Sequence, residues 1–261
     1  MIFSKQAVQN RHGKNILVHY EPCPKASNQL AVIQHGYSGS MNEVHIKIFG
    51  KTYLDNGYNV LMLDCTNSHN DADGILEDNT IQSHYDDLED SIQWAATQDW
   101  YQEPFSLAGH SLGGLSIMAY AGKNLEKVSS IFPAAMVVSG QLLEQRFEEN
   151  DPEYMNKMRT EGKVQVDCSY KEGVTGFRPY SWFASMYDWD AREYAKNINA
   201  LALCIVGDED YLTSPQDQKA VFDHLKGPNK VHVIKGCDHC YEGKEEELST
   251  VLDQLLKEIN D

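Results

Sequence analysis

The sequence predicts an α/β sandwich, a mostly parallel central sheet with helices on both faces. Three observations predict it. Short apolar runs bounded by Gly, Asp, Asn or Pro recur along the chain, stretches with helical spacing of apolar residues lie between them, and no repeat or Pro/Ser-rich linker interrupts the alternation. Strands separated by helices need right-handed crossovers, which lay the strands parallel and cover both faces of the sheet.

In chain order, strands are read at Ile16–Tyr20, Leu30–Gln34, Asn59–Leu63, Phe105–Ala108, Val128–Phe132, Ala202–Val206 and Lys230–Ile234. The apolar residues Ile81, Tyr85, Leu88, Ile92 and Ala95 step by 4, 3, 4 and 3, one face of a helix, and Leu248, Val251, Leu252, Leu255, Leu256 and Ile259 mark a last helix in the same way. From 139 to 195 the rhythm stops. That stretch is charged at first (Glu144, Arg146, Glu148, Glu149, Asp151) and then aromatic (Tyr170 to Tyr194), and a loop so long inside a compact domain is usually functional. Residues 1–138 and 196–261 are therefore expected to form the core and 139–195 a cap or lid.

The 261 residues suit one folding unit carrying an insertion, and a composition 41% hydrophobic and 10% aromatic excludes collagen-like, mucin-like and largely disordered classes. Apolar runs such as Ile131 to Val138, broken by Pro133, fall short of the roughly 18 residues of a membrane span. Met1 to Arg11 lack a charged segment followed by an apolar one, so no secretory signal is read and a cytoplasmic location is expected. With 22 Lys and Arg against 39 Asp and Glu, the net charge of -17 opposes binding to nucleic acid or an anionic membrane and favours a neutral or locally recognised small molecule. The six scattered cysteines read as free thiols of a reducing compartment.

Chemistry enters at Gly109-His110-Ser111-Leu112-Gly113, at the junction of a strand and a helix. The flanking glycines allow strand and helix to pass closely while the turn pushes Ser111 out, as a nucleophile requires, and the helix start offers the free Leu112 N–H to a reacting oxygen. A base and an orienting acid should follow in that order of function, and the chain order Ser, acid, His supplies them. Gly207-Asp208-Glu209-Asp210 follows the strand Ala202–Val206, and Gly236-Cys237-Asp238-His239 follows the strand Lys230–Ile234. Carboxylate and imidazole thus emerge on the same sheet edge as Ser111, with His239 placed to take its proton and Asp210 or Asp208 to fix the imidazole tautomer.

These motifs, with His35-Gly36-Tyr37-Ser38-Gly39, resemble the α/β-hydrolase superfamily over nearly the whole chain, and within it small serine esterases of the carboxylesterase, feruloyl esterase and monoglyceride lipase-like kind. The resemblance implies an α/β-hydrolase fold with a cap insertion and a cofactor-free esterase working through an acyl-serine. It makes Asp210, ahead of Tyr211-Leu212-Thr213-Ser214-Pro215, the acid with Asp208 as its rival, and gives the Tyr37 N–H a place beside that of Leu112 in an oxyanion hole. His35 is then a structural hydrogen-bonding residue.

Trp182, Phe183 and Tyr187 are the candidate substrate-binding residues, since aromatic density in an insertion beside an active edge suits an acyl or aryl pocket. No metal site is expected. The loop Asp64 to Gly74 lacks calcium-motif spacing, and Cys237, His239 and Cys240 crowd three ligands into four residues, poor geometry for tetrahedral zinc. A thioesterase or a lysophospholipase or monoacylglycerol-type acyl hydrolase would use the same residues, and the alternative from another class is a non-catalytic binding protein on the hydrolase fold.

Overall fold

The computed structural model describes residues 4–25 and 27–260. In chain order its strands are β1 (Gln6–Gln9), β2 (Asn15–Glu21), β3 (Leu30–Gln34), β4 (Asn59–Asp64), β5 (Phe105–His110), β6 (Val128–Ala134), β7 (Lys163–Asp167), β8 (Thr175–Pro179), β9 (Leu201–Gly207) and β10 (Asn229–Ile234). The helices are α1 (Val44–Asp55), α2 (Ile81–Ala95), α3 (Leu112–Lys123), α4 (Gly140–Asn150), α5 (Pro152–Glu161), α6 (Ser181–Ala184), α7 (Ala191–Ala195), α8 (Pro215–Phe222) and α9 (Glu245–Asn260). Eight strands form one sheet in the order β1-β2-β4-β3-β5-β6-β9-β10, and β7 pairs with β8 apart from it.

The sheet is parallel from β4 through β10, with β2 antiparallel to both β4 and β1 at one edge. Its central strands read as unbroken apolar runs because both faces are covered, and every residue of β3 and β4 is buried. The seven strands expected from the sequence are all present. β1 escaped notice because only Val8 of its four residues is buried, leaving no alternation to read.

α2 begins at Thr80, whose hydroxyl accepts the Ser83 N–H while the Ser83 side chain reciprocates, and its predicted stripe is buried from Ile81 to Ala95. Burying each large apolar side chain of that stripe contributes about 1.5–3 kcal/mol, more than helix propensity supplies. The stripe of α9 is likewise buried through Leu256; the side chain of Ile259 lies outside the described residues.

Between β6 and β9 the chain is regular, where the sequence suggested a break in structure. Ser139 caps α4 by accepting the Leu142 N–H, and Asp151 caps α5, with Pro152 in the first turn where its missing N–H costs nothing. The antiparallel β7–β8 hairpin and the short α6 and α7 complete the segment. Its core, with Phe147, Met155, Met158 and Phe183, is continuous with that of the sheet.

Candidate active site

β5 ends at the carboxyl edge of the sheet and turns directly into α3 through Ser111, whose φ of 54° and ψ of -114° lie where a residue with a side chain is strained. Two ladder-like bonds hold it there. Ser111 N–H donates to Ala134 O at 3.0 Å, and its carbonyl accepts from Val137 N–H at 3.0 Å. The glycines are required by contact: a Cβ on Gly113 would stand 2.4 Å from the carbonyl oxygen of His35, and one on Gly109 2.5 Å from that of Gly113. The same closeness sets the turn after β3 against Ser111, where a Cβ on Gly36 would meet Ser111 Cβ at 3.1 Å.

The loops after β9 and β10 complete a chain of hydrogen bonds. His239 Nε2 is 3.0 Å from Ser111 Oγ, and His239 Nδ1 is 2.7 Å from Asp210 Oδ2. Asp210, 3% exposed, also accepts from Thr213 Oγ1–H at 2.6 Å and from the N–H groups of Leu212 and Thr213 at 2.9 and 3.0 Å. Burial pushes the Asp210 carboxyl up, but the charge and hydrogen bond of His239 and the Thr213 donors outweigh it and hold the group below its ordinary value. Burial pulls His239 down, but the charge and hydrogen bond of Asp210, aided by Asp238 and Glu43, leave it above the ordinary imidazole value. A hydroxyl bonded to an imidazole that is itself fixed by a carboxylate can pass its proton to Nε2 without moving any heavy atom far.

Asp208, the rival acid, is exposed and its carboxylate accepts the Gly236 N–H at 2.6 Å, which ties the two loops together away from His239. Leu112 opens α3, so its N–H has no carbonyl one turn earlier to receive it, and Tyr37 follows Gly36 in the adjoining turn. His35 is fully buried, its Nδ1–H donating to Gly36 O at 2.7 Å and its Nε2 accepting the Cys65 N–H at 2.9 Å; burial lowers it to about 4 and keeps it neutral. Asp64 is buried and receives Ser40 Oγ–H and Met41 N–H, both at 2.7 Å, and Lys5 Nζ at 2.8 Å. It thus anchors the loop leading to α1.

Ser111 and His239 open into a pocket of about 170 Å³. Trp182 reaches it, 4.4 Å from the Tyr37 ring between centroids. Phe183 and Tyr187 are not brought there: Phe183 is fully buried against Phe147 and Trp182, and Tyr187 lies on the surface with its hydroxyl on Glu144. Leu143, Phe147 and Arg178 complete the wall instead. The i, i+4 spacing of Leu143 and Phe147 on a charged helix could have marked the first two.

Two further residues escaped the sequence. Glu43 lines the pocket while buried, its carboxylate accepting Ser169 Oγ–H at 2.7 Å and Ser40 N–H at 3.3 Å, and burial pushes its carboxyl up to about 6. His110, kept neutral by burial, donates Nε2–H to the carbonyl of His239 at 2.9 Å and so fixes the loop that carries the imidazole. Among the described residues no group of three or more His, Cys, Asp or Glu side chains is arranged to hold a metal ion, and both nitrogens of His239 are engaged with Asp210 and Ser111. No described helix is long and apolar enough to cross a membrane.

A mostly parallel eight-stranded sheet with this strand-to-helix turn at its carboxyl edge is the architecture of an α/β hydrolase. The family described as serine aminopeptidase, S33, matches residues 25–246, and the chain belongs to it. Comparison with curated proteins finds no match. Among solved structures the chain is similar to Est1E from Butyrivibrio proteoclasticus with ferulic acid bound, at 19% identity and a TM-score of 0.78 over 97% of this chain and 98% of that one. It is also similar to the alpha/beta hydrolase domain-containing protein 10 from mouse, at 19% identity and a TM-score of 0.71 over 98% and 99% of the two chains. The esterase domain of a Rhodothermus marinus protein aligns at 16% identity and a TM-score of 0.71 over 98% and 97%. At these identities the likeness is one of fold.

Proposed function

We propose that this protein is a serine hydrolase of carboxylic esters, working through an acyl-serine intermediate on Ser111 with His239 as base and Asp210 as its orienting acid. The observation that carries the reading is the unbroken run from Asp210 Oδ2 through His239 to Ser111 Oγ, 2.7 and 3.0 Å long, opening into the pocket. Two of the structural neighbours are named as an esterase or as holding ferulic acid, which agrees with an ester as substrate.

In this mechanism His239, neutral with its proton on Nδ1 toward Asp210, accepts the Ser111 proton at Nε2 as Oγ attacks the ester carbonyl. The N–H groups of Tyr37 and Leu112 receive the oxyanion of the tetrahedral intermediate, and the imidazolium returns the proton to the departing alcohol. Water then attacks the acyl-serine, giving its proton to His239; collapse releases the carboxylic acid and restores Ser111. Residues 139–195 act as a cap, with α4, β8 and α6 forming one wall over chemistry that belongs to the sheet edge. The small molecule enters this pocket with no cofactor required.

Labelling with a fluorophosphonate probe and hydrolysis of p-nitrophenyl acetate test the reading together. The wild type should label and turn over, and Ser111→Ala should do neither while melting near the wild-type temperature. A protein that stays unlabelled and inert would be a binding protein on this fold.

A further inference from the structure

Four of the five arginines of this chain touch carboxylates. Arg11 pairs with Asp86, Glu89 and Asp90, Arg146 with Glu149 and Asp217, Arg159 with Glu144 and Glu148, and Arg192 with Asp190. Arg178 has no carboxylate within 4.0 Å among the described residues, although acidic side chains outnumber basic ones by 39 to 22. It lies instead in the wall of the Ser111 pocket. Its guanidinium is stacked among rings, 4.4 Å from the centre of Tyr37, 4.7 Å from Trp182 and 5.4 Å from Phe147. Its described polar bond runs from Nη1–H to the Tyr154 hydroxyl at 3.0 Å.

One donor here is buried with no hydrogen-bond partner, Arg178 Nε–H, and the hydroxyl of Tyr37, whose ring lies under the guanidinium, is buried beside Arg178. An unsatisfied buried donor is costly, and a guanidinium in an apolar box gains most from a planar carboxylate that accepts from two of its N–H groups at once. The rings hold the fork in place before any ligand arrives, so little rotamer freedom is lost on binding. The one acidic side chain in the pocket lining, Glu43, is turned to Ser169 and Ser40, so no carboxylate of the lining faces Arg178.

We infer that Arg178 is a specificity residue, and that the substrate is an ester bearing a second, free carboxylate group that docks between Arg178 and the Tyr37 hydroxyl while its ester carbonyl faces Ser111. This deepens, and rests on, the assignment of the pocket to ester hydrolysis. It also reconciles a protein of net charge -17 with an anionic substrate, because recognition is local: one positive group in a partly dehydrated pocket outweighs distant charges screened by salt.

The test compares isosteric ester pairs that differ only in charge. One pair places the charge on the acyl side, monoethyl glutarate against its terminal amide; the other places it on the leaving group, para-acetoxybenzoate against para-acetoxybenzamide. In at least one pair the wild type should favour the carboxylate in kcat/KM. Arg178→Gln should lower kcat/KM for that member by about 10- to 100-fold, with the amide changed less than about 3-fold, the loss expected for a charge-assisted paired hydrogen bond. Equal wild-type rates on both members of both pairs, or a loss in Arg178→Gln that is the same for acid and amide, overturn the inference and leave Arg178 a structural clasp between rings. If Arg178→Gln does not fold, Arg178→Lys decides: a carboxylate-to-amide ratio at least about 3-fold below wild type supports the inference, because the ammonium keeps the charge and loses the fork, and an unchanged ratio refutes it.

Should no ester be cleaved at all, the hydrolase reading fails by itself, and an equilibrium titration with benzoate and benzamide, read by tryptophan fluorescence, still decides the role of Arg178. Benzoate binding tighter than benzamide in wild type, and not in Arg178→Gln, supports carboxylate recognition. Equal affinities overturn it.

Discussion

Replacing Asp210 by Asn keeps the size of the side chain and removes its charge. In the native site four donors converge on the two oxygens: His239 Nδ1–H, Thr213 Oγ1–H and the N–H groups of Leu212 and Thr213. Asn offers one oxygen, so its NH2 group must face either His239 and the Thr213 hydroxyl or the two N–H groups of Leu212 and Thr213. If it donates to His239 Nδ1, the imidazole proton moves to Nε2, where it points at Ser111 and cannot accept; the same exchange in a well-studied protease lowers kcat by about 10⁴. The lost charge-assisted bond costs roughly 1.5–3 kcal/mol of stability besides.

The pH profile gives a second readout of the same variant. As the proposed base His239 must be neutral, so activity should be lost as pH falls through its pKa, and with Asp210 present that value stands above the ordinary 6.5. Without the carboxylate, burial dominates and the acid limb of kcat/KM should move to lower pH. Release of p-nitrophenol from a short ester, followed from about pH 5 to 9, measures both the height and the position of the limb. Asp208→Asn is the control: that carboxylate is exposed and holds one N–H of the Gly236 turn, so its loss should change stability by about 0.5 kcal/mol or less and leave the limb in place. A crippled Asp208→Asn beside a nearly normal Asp210→Asn would refute the reasoning.

Trp182→Ala should lower kcat/KM for a bulky aromatic ester by about 10-fold while sparing a short acetyl ester, because it removes apolar wall and no reacting group. Phe183→Ala should affect both esters alike, since that ring is wholly buried and does not line the pocket; both truncations should cost about 3–5 kcal/mol of stability, Trp182 being 2% exposed, so the ratio of rates on the two esters separates the outcomes. Tyr187→Ala should be nearly silent in both assays. Gly113→Ala should lower kcat more than it raises KM, because a Cβ 2.4 Å from the His35 carbonyl forces apart the two turns that carry the Tyr37 and Leu112 amides; wild-type kcat in this variant would contradict the oxyanion assignment.

What the sequence made legible is what depends on local spacing. The parallel strands are unbroken apolar runs because they are buried on both faces, and α2 is a stripe because one face of it is. The turn at Ser111 is readable because backbone contacts there exclude a Cβ at Gly109 and Gly113, so the constraint is written in two residues. The wall of the pocket is written nowhere locally. Aromatic density marks residues 139–195, yet whether Trp182, Phe183 or Tyr187 faces the pocket depends on how a four-residue helix packs on Phe147 and Tyr37, distant in sequence. Arg178 and Glu43 were illegible for the same reason. The Asp151-Pro152 start of α5 was a local signal that went unread, and the exposed hairpin β7–β8, like β1, buries too little to show a period.

The position of the site follows from strand order. From β3 the chain crosses through α1 to β4 on one side, then returns through α2 to β5 on the other side of β3, so the carboxyl ends of β3 and β5 border the crevice where the direction of winding reverses. The turn holding Tyr37 and the turn holding Ser111 and Leu112 are the two lips of that crevice. β6, β9 and β10 then add outward on the β5 side, and the loops after β9 and β10 bring Asp210 and His239 back to it. The segment that supplies Arg178 and Trp182 leaves after β6 and returns into β9, which lies beside β6 in the sheet, so its length and sequence do not disturb strand register. Such a wall can be altered without touching the proposed machinery. Changes at Ser111, His239 or Asp210 should therefore lower the rate on every ester, whereas changes at Arg178 or Trp182 should alter the ratio of rates between esters, and that difference in kind can be measured on one preparation of each variant.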